Sequence, residues 1–256
     1  MSKEINNAYV RIWKGYKYLS NLSFVNRSGY QLIGISESIG QEETIEKQVR
    51  RRGESDMEHS AKVAYLCSVF ISHFPEEICL YTSCNGEHWS DTVWLLITTT
   101  LLHDVGEVAT GDIPDDGNPI HGTKDQRERE AFEQYMLGAF ALDDILPLKI
   151  AYTDFQDHKG LGQFIYMLDK LEAVLHLIWL EQYEIYGDIN AKPIPTAQDR
   201  HFANLAGTPC ATDCWAAHVK DLFKDLPPEL THHAFELLRV AILDVRGEWF
   251  DWWDNV

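Results

Sequence analysis

The chain has 256 residues, of which 45% are hydrophobic and 24% are charged, a balance typical of a folded globular protein. Its formal net charge is -18, from 22 Lys and Arg against 40 Asp and Glu. Such a field repels long nucleic acids, whose binding depends on neutralising many phosphates with basic side chains. We therefore expect no nucleic acid polymer as a partner. A small phosphate ester is not excluded, because a bound divalent cation can supply positive charge locally.

The sequence carries no sign of a membrane segment. No stretch has the length of a transmembrane helix, and the start, MSKEINNAYVRIWKGYKYL, lacks the apolar core of a signal peptide. We therefore expect a cytoplasmic protein without a membrane partner. Its five cysteines include no CxxC pair, which favours free thiols. Zinc binding by Cys79 with Cys84, or by Cys210 with Cys214, is the alternative.

Two helices are predicted in the first half of the chain. An S-x-x-E capping box at residues 55–58 precedes an apolar-periodic run and predicts a helix that lasts until Pro75. A second helix starts near residues 90–91 and carries DTVWLLITTTLLHDVGEVAT, which is apolar nearly all round and so indicates a buried position. Its stop signals are the glycine and proline at 111 and 114.

The second half also reads as helical. After a loop rich in Gly, Pro and Asp, QREREAFEQYMLGAF predicts an amphipathic helix, and LPLKIAYTDFQD continues it less clearly. GQFIYMLDKLEAVLHLIWLEQYEIYG predicts a long helix whose apolar positions have the three-four spacing of a core face: 164, 168, 171, 175 and 178. A short helix at about 215–223 and a last one after Pro227 and Pro228 complete the chain. Convincing strands are few, so we expect an all-α fold.

Polar side chains interrupt three of these predicted helices. His59 is on the first, His103 and Asp104 are on the second, and Asp169 is on the long helix. Each one alone has an ordinary explanation as an exposed or hydrogen-bonded residue. Facing helices of a bundle, however, can project imidazole and carboxylate groups to one point. Such a mixed nitrogen and oxygen set suits zinc, cobalt, manganese or iron(II).

The spacing within the second helix adds a further candidate. Adjacent residues of an α-helix point about 100° apart, so His103 and Asp104 can occupy two neighbouring positions on one metal ion. Glu107 lies four residues after His103, one turn along the same predicted face. It is well placed to meet a coordinated water molecule or the substrate.

Three segments together resemble the HD-domain metal-dependent phosphohydrolases, most closely their 5'-deoxynucleotidase branch. These segments are RGESDMEHS (residues 52–60), LLHDVGEVATGDIP (101–114) and LDKLEAVL (168–175). The resemblance covers roughly residues 45 to 185. It implies an all-α helical bundle with one divalent metal ion, Mn, Co, Zn or Fe(II), and with four ligands: His59, His103, Asp104 and Asp169.

The same resemblance implies catalytic roles for Glu107 and Asp112 and a contact between Arg52 and the substrate phosphate. Glu107 can orient the attacking water or pass a proton to the leaving 5'-oxygen. The planar, two-pronged guanidinium of Arg52 suits a pair of phosphate oxygens. Lys170 is a second candidate for phosphate binding. The alternatives are a turn role for Asp112 and a solvent-exposed position for Lys170.

Several other residues have alternative interpretations. Glu172, which follows Asp169 closely, is expected to be exposed. His176 is expected to be packed in the core, and a position that lines the cavity is the alternative. A second metal ion bound by His121 and His158 is disfavoured, because neither residue has the expected helical setting. The aromatic C-terminus either docks on the body of the protein or forms a lid that stacks on a base: Trp249, Phe250, Trp252 and Trp253.

We interpret residues 1–256 as a single HD-type domain, with a core at about 45–185, elaborations at 1–44 and 186–256, and homodimer formation. The expected reaction is hydrolysis of (deoxy)nucleoside 5'-monophosphates to nucleoside and phosphate. A dNTP triphosphohydrolase that releases tripolyphosphate is the alternative, and a regulatory nucleotide-binding module with a vestigial site is another. The monophosphate is favoured because few cations lie near the motifs: Arg50, Arg51, Arg52, Lys124, Lys159 and Lys170.

Overall fold

The structure is a computed structural model that describes residues 9–10, 12–13, 16, 56–81, 89–109, 121–140, 142–181, 223 and 228–247. Within these ranges the secondary structure is helical, without a strand, which confirms the predicted all-α fold. In the described part of the chain, seven α-helices have defined bounds: α1 (Asp56–His73), α2 (Pro75–Tyr81), α3 (Trp89–Leu102), α4 (His121–Ala139), α5 (Leu142–Gln156), α6 (Gly160–Glu181) and α7 (Pro228–Arg246). A 3₁₀ helix, Val105–Ala109, follows α3.

Helix α6 is the centre of the packing, because it contacts α1, α3, α5 and α7. The five apolar positions predicted to face the core are all buried, which confirms the periodicity: Phe164, Leu168, Leu171, Leu175 and Ile178. They belong to the main core together with apolar residues of α1 and α7. An N-terminal segment, which we define as the helical residues 9, 10, 12, 13 and 16, contributes four of its side chains to this core: Tyr9, Ile12, Trp13 and Tyr16.

A second, smaller core fills the space between the end of α3 and helices α4 and α5. At its centre the rings of Phe132 and Tyr152 stack with their centroids 3.8 Å apart. Leu102, the last residue of α3, packs in the same cluster. The second core therefore fixes the point at which the chain leaves α3, directly before His103.

The boundary of α3 differs from the prediction. The α-helix ends at Leu102, so His103 and Asp104 lie in a turn and not on the helix. The His103 Nδ1 donates to the Thr100 carbonyl, which is one of the last carbonyls of α3 (2.7 Å). A histidine side chain at a helix C-terminus can cap the helix in this way. The prediction that one α-helix continues through the HD pair to residue 111 is wrong.

Two further boundaries can be compared with the sequence. Helix α4 begins at His121, earlier than the predicted start at Gln126, so the expected loop at 121–125 is wrong. Gly122 obscured this start, although a helical glycine costs only about 1 kcal/mol relative to alanine, which tertiary packing can outweigh. The predicted helix at 215–223 and the C-terminal aromatic residues 249–253 lie outside the described residues, except for Phe223.

Leu175 provides a test of the central role of α6. We expect Leu175→Ala to lower the free energy of unfolding by about 2–5 kcal/mol, because this side chain is fully buried in the main core. Urea denaturation followed by circular dichroism measures the change. The matched control is Leu146→Ala on α5, where the side chain is 64% exposed and the expected change is within about 0.5 kcal/mol. Equal losses for the two variants would contradict the assigned core.

Candidate metal centre

Packing of α1 against α3 and α6 brings the predicted metal ligands together. His59 comes from α1, His103 and Asp104 come from the turn after α3, and Asp169 comes from α6. His59, His103 and Asp104 each offer one ligand atom, and these three atoms lie within 4.8 Å of one another. The geometry of this cluster is that of a site that could hold a metal ion.

Asp169 lies directly beside this cluster. Its Oδ1 is 3.0 Å from His59 Nε2 and 3.9 Å from His103 Nε2. His103 Nε2 is in turn 3.2 Å from Asp104 Oδ1. Two imidazole nitrogens and two carboxylates, separated by 110 residues of sequence at the widest, therefore meet in one place.

The orientation of the two imidazole rings supports metal binding. His103 Nδ1 donates to the Thr100 carbonyl, and His59 Nδ1 is 2.6 Å from Glu172 Oε2. A proton on Nδ1 leaves the lone pair on Nε2, which is the usual arrangement of metal-binding histidines. Among the described residues, the buried Nε2 atom of His103 has no hydrogen-bond partner, although the Asp104 carboxylate lies beside it as an ion-pair partner. A metal ion would satisfy this atom, so the residues present fit a divalent ion.

The charges around the cluster also favour a cation. Burial alone would lower the pKa of His59, but hydrogen bonds with Asp169 and Glu172 outweigh it and raise this pKa well above its ordinary value. For His103, burial again acts downwards, and Asp169 and Asp104 raise the pKa. The carboxylates thus draw protons onto both rings, which marks a negative potential that a metal ion would also neutralise.

Asp104 and Asp169 differ in their surroundings. Burial raises the pKa of Asp104 in spite of the two nearby histidines. Burial is the largest single influence on the pKa of Asp169 and would raise it. Lys170 and the two histidines act together in the opposite direction, and they hold this pKa well below its usual range. Lys170 Nζ lies 2.9 Å from Asp169 Oδ2. The Lys170 side chain is 29% exposed, so it is partly buried beside Asp169 and partly accessible to solvent.

Glu107 lies in the 3₁₀ helix that follows the turn formed by His103 and Asp104, which we call the HD turn. Its backbone N–H donates to the Asp104 carbonyl over 2.9 Å, so the two residues are linked by a tight turn. The prediction that Glu107 lies one α-helical turn beyond His103 on the same face is wrong, because the α-helix ends before His103. Glu107 is half-buried. Its proximity to the HD pair thus arises from the turn and not from helical periodicity.

Two predicted site residues lie outside the described part of the chain, and the two disfavoured histidine ligands lie within it. Arg52 and Asp112 lie outside the described residues. His121 is the first residue of α4 and not in a loop, which corrects the sequence interpretation. His158 occupies the turn between α5 and α6 with a φ of 51°, and its ring stacks on Tyr166 with centroids 3.8 Å apart.

The sequence interpretation missed a buried polar network beneath the cluster. Glu172 is fully buried, so the expectation of an exposed residue is wrong. Lys62, which was not singled out, is also buried, with its Nζ 3.8 Å from Glu172 Oε1 and 3.0 Å from His176 Nδ1. Burial and the nearby Lys62 lower the pKa of His176 to about 4, so His176 is a neutral acceptor. Lys62 and Glu172 each lie three residues after a ligand candidate, a helical spacing that could have revealed them.

The sequence model of one known family, described as the HD domain, matches residues 42–185, which is more than half of the chain. The chain belongs to the HD domain family. This membership supports metal-dependent phosphohydrolase activity in general, and HD domains bind divalent metal ions. No curated protein and no solved structure matches the chain. Among the described helices, none is long and apolar enough to cross a membrane.

Gly106 allows the HD turn to pack closely against its neighbours. A Cβ atom at this position would lie 2.6 Å from Tyr152 Oη and 2.9 Å from the Glu128 carbonyl oxygen. We therefore expect Gly106→Ala to displace the turn that carries Asp104 and to weaken Mn²⁺ or Co²⁺ affinity by roughly tenfold. Isothermal titration calorimetry measures this affinity.

Gly247→Ala is the control for this variant. Gly247 has a φ of 75°, and no described residue would lie within 4 Å of an added Cβ atom, so the expected effect is backbone strain after α7. We expect a loss of about 1–2 kcal/mol of stability and unchanged metal affinity. Unchanged affinity in Gly106→Ala would show that the close packing of the HD turn does not set the ligand positions.

Proposed function

We propose that this chain hydrolyses (deoxy)nucleoside 5'-monophosphates to nucleoside and phosphate, as an HD phosphohydrolase of the 5'-deoxynucleotidase type. The observation that carries the proposal is the convergence of His59, His103, Asp104 and Asp169, where the buried Nε2 of His103 makes no hydrogen bond to any described residue. In this proposal the four residues hold one divalent ion. The mixed nitrogen and oxygen set suits manganese, cobalt, zinc or iron(II).

A divalent ion bound there supplies Lewis-acid polarisation of the phosphoryl group and activation of water. In the reaction, an oxygen from water bonds to phosphorus, the bond between phosphorus and the 5'-oxygen breaks, and a proton passes to that oxygen. We assign the proton transfer to Glu107, which is tied to Asp104 by the tight turn. Asp112 and Arg52 keep the roles that the family resemblance implies, in catalysis and in phosphate binding.

Lys170 is proposed to contact the phosphate. Its ammonium group lies beside Asp169, and part of its side chain remains accessible to solvent. Asp169 raises the pKa of Lys170 against the effect of burial, so the group is cationic at neutral pH. A fixed positive charge next to the metal ligands would offset the charge of an incoming phosphate.

The charge distribution favours a monophosphate over a triphosphate. In the part of the chain that the structure describes, Lys62 and Lys170 are the lysines that interact with the cluster and the residues beneath it. Lys62 is buried against His176 and Glu172, which leaves Lys170 as the accessible one. A dNTP triphosphohydrolase would need more cationic side chains for its β- and γ-phosphates. Homodimer formation and a cytoplasmic location stay predictions from the sequence.

A substrate screen tests the proposal. The purified chain, loaded with Mn²⁺ or Co²⁺, is incubated with nucleoside and deoxynucleoside mono- and triphosphates, and the products are separated by ion-exchange chromatography. We expect inorganic phosphate from the monophosphates and no tripolyphosphate. Release of tripolyphosphate would support the triphosphohydrolase instead. Metal binding without turnover of either class would support a regulatory module. Asp104→Asn should abolish turnover, since it removes a proposed ligand.

Glu107→Gln separates metal binding from proton transfer. We expect this variant to bind metal like the wild type and to lose about 10²- to 10⁴-fold in kcat, because the amide cannot accept or donate the catalytic proton. Steady-state kinetics and metal analysis of the same preparation check both parts. The matched control is Glu130→Gln on α4, an exposed position whose carboxylate accepts a hydrogen bond from Gln126. Wild-type turnover in Glu107→Gln would remove Glu107 from the mechanism.

A further inference from the structure

Glu172 connects a proposed metal ligand to the interior of the protein. One carboxylate oxygen, Oε2, lies 2.6 Å from His59 Nδ1. The other, Oε1, accepts a hydrogen bond from the Tyr16 hydroxyl and lies 3.8 Å from Lys62 Nζ. Both Glu172 and Tyr16 are fully buried. Each oxygen of this carboxylate therefore has its own partner, and water does not compete for either one.

Tyr16 belongs to the N-terminal segment, which precedes the residues matched by the HD domain family. Other contacts hold this segment in place. The Tyr16 ring stacks on Trp13 with centroids 5.7 Å apart, and Trp13 Nε1 donates to Asp244 Oδ2 of α7 over 2.9 Å. Lys62 Nζ lies 5.7 Å from the centroid of the Tyr16 ring. The position of the Tyr16 hydroxyl beside Glu172 is therefore supported by contacts of the N-terminal segment that do not involve Glu172.

We propose that Glu172 and Tyr16 are positioning residues for His59, so that the N-terminal segment forms part of the support of the metal centre. This inference rests on the proposed metal site. Glu172 holds the His59 ring through Nδ1, which directs Nε2 towards the ligand cluster. Tyr16 holds the opposite oxygen of the same carboxylate and prevents its rotation.

The physical basis of this proposal is that both oxygens of the Glu172 carboxylate are held by hydrogen-bond partners. A carboxylate that bonds a metal-binding histidine fixes the tautomer and the plane of its ring, and loss of such a partner commonly weakens metal affinity by about 10- to 100-fold. A buried carboxylate also needs a compensating charge. Lys62 provides that charge at 3.8 Å, so Glu172 can remain ionised beneath the site.

The experiment is a metal titration of the full chain with Tyr16→Phe, which removes one hydroxyl and keeps the ring. We expect Mn²⁺ and Co²⁺ to bind roughly 3- to 30-fold more weakly than to the wild type, less than the full effect of losing an outer-sphere carboxylate. The visible absorption spectrum of the Co²⁺ form should also change, since it reports the geometry of the ligands. A residue that serves only stability would leave this spectrum unchanged.

Tyr9→Phe is the matched control on the same segment. Tyr9 is also fully buried, but its hydroxyl bonds His233 Nδ1 of α7 over 2.7 Å, away from Glu172. Both variants lose one buried hydrogen bond, so thermal unfolding should shift by similar amounts. Only Tyr16→Phe should change the metal affinity and the Co²⁺ spectrum.

Glu172→Gln is the second variant, with an expected loss of about 10- to 100-fold in metal affinity. If it does not fold, Tyr16→Phe decides the question alone. Wild-type affinity and spectrum in Tyr16→Phe, or equal changes in Tyr9→Phe, would overturn the inference. A wild-type chain that binds metal but hydrolyses no nucleotide would overturn the proposed function alone. A wild-type chain that binds no divalent ion would overturn both.

Discussion

The negative charge between α1 and α6 is the constraint on which the site depends. Asp104, Asp169 and Glu172 bring three carboxylates into a largely buried region. Burial of several carboxylates together is unfavourable unless cations or hydrogen bonds compensate them. Lys62 and Lys170 provide two fixed charges. The rest of the negative charge is balanced by protons on the two imidazoles, or by a metal ion that replaces these protons.

The compensating groups lie on two polar helix faces, one on α6 and one on α1, which pack against each other. On α6, Asp169, Glu172 and His176 follow one another at spacings of three and four residues, which places them on one side of the helix. His59 and Lys62 have the same relation on α1, and the two faces meet in the contacts of His59 with Glu172 and of Lys62 with His176. The apolar stripe of α6 faces the main core instead. Tyr16, which belongs to the same main core, contacts the polar side of α6 through Glu172.

Much of the fold and of the ligand cluster could be predicted from the sequence. Apolar periodicity is a local property of the sequence, so the predictions of α1 and of the core face of α6 were correct. The HD motifs identified the residues that converge. The end of α3 could not be predicted, because it depends on the His103 side chain taking the Thr100 carbonyl and on close packing around Gly106. The burial of Glu172 was missed for a different reason. A glutamate on a helix is usually exposed, and only its partners on α1 and the N-terminal segment explain its position.

The contacts of the N-terminal segment extend the packing around the candidate site beyond the residues that the family model matches. Tyr9 and Trp13 bind His233 and Asp244 of α7, and α7 packs on α6. Residues on both sides of the matched range therefore hold each other and cover the helix that carries Asp169. Because the Tyr16 hydroxyl reaches Glu172 from this assembly, a change in the packing of the N-terminal segment or α7 can be transmitted to the His59 ring. Under the proposed positioning role of Tyr16 and Glu172, the same contacts that complete the hydrophobic core also restrain one ligand of the proposed metal centre.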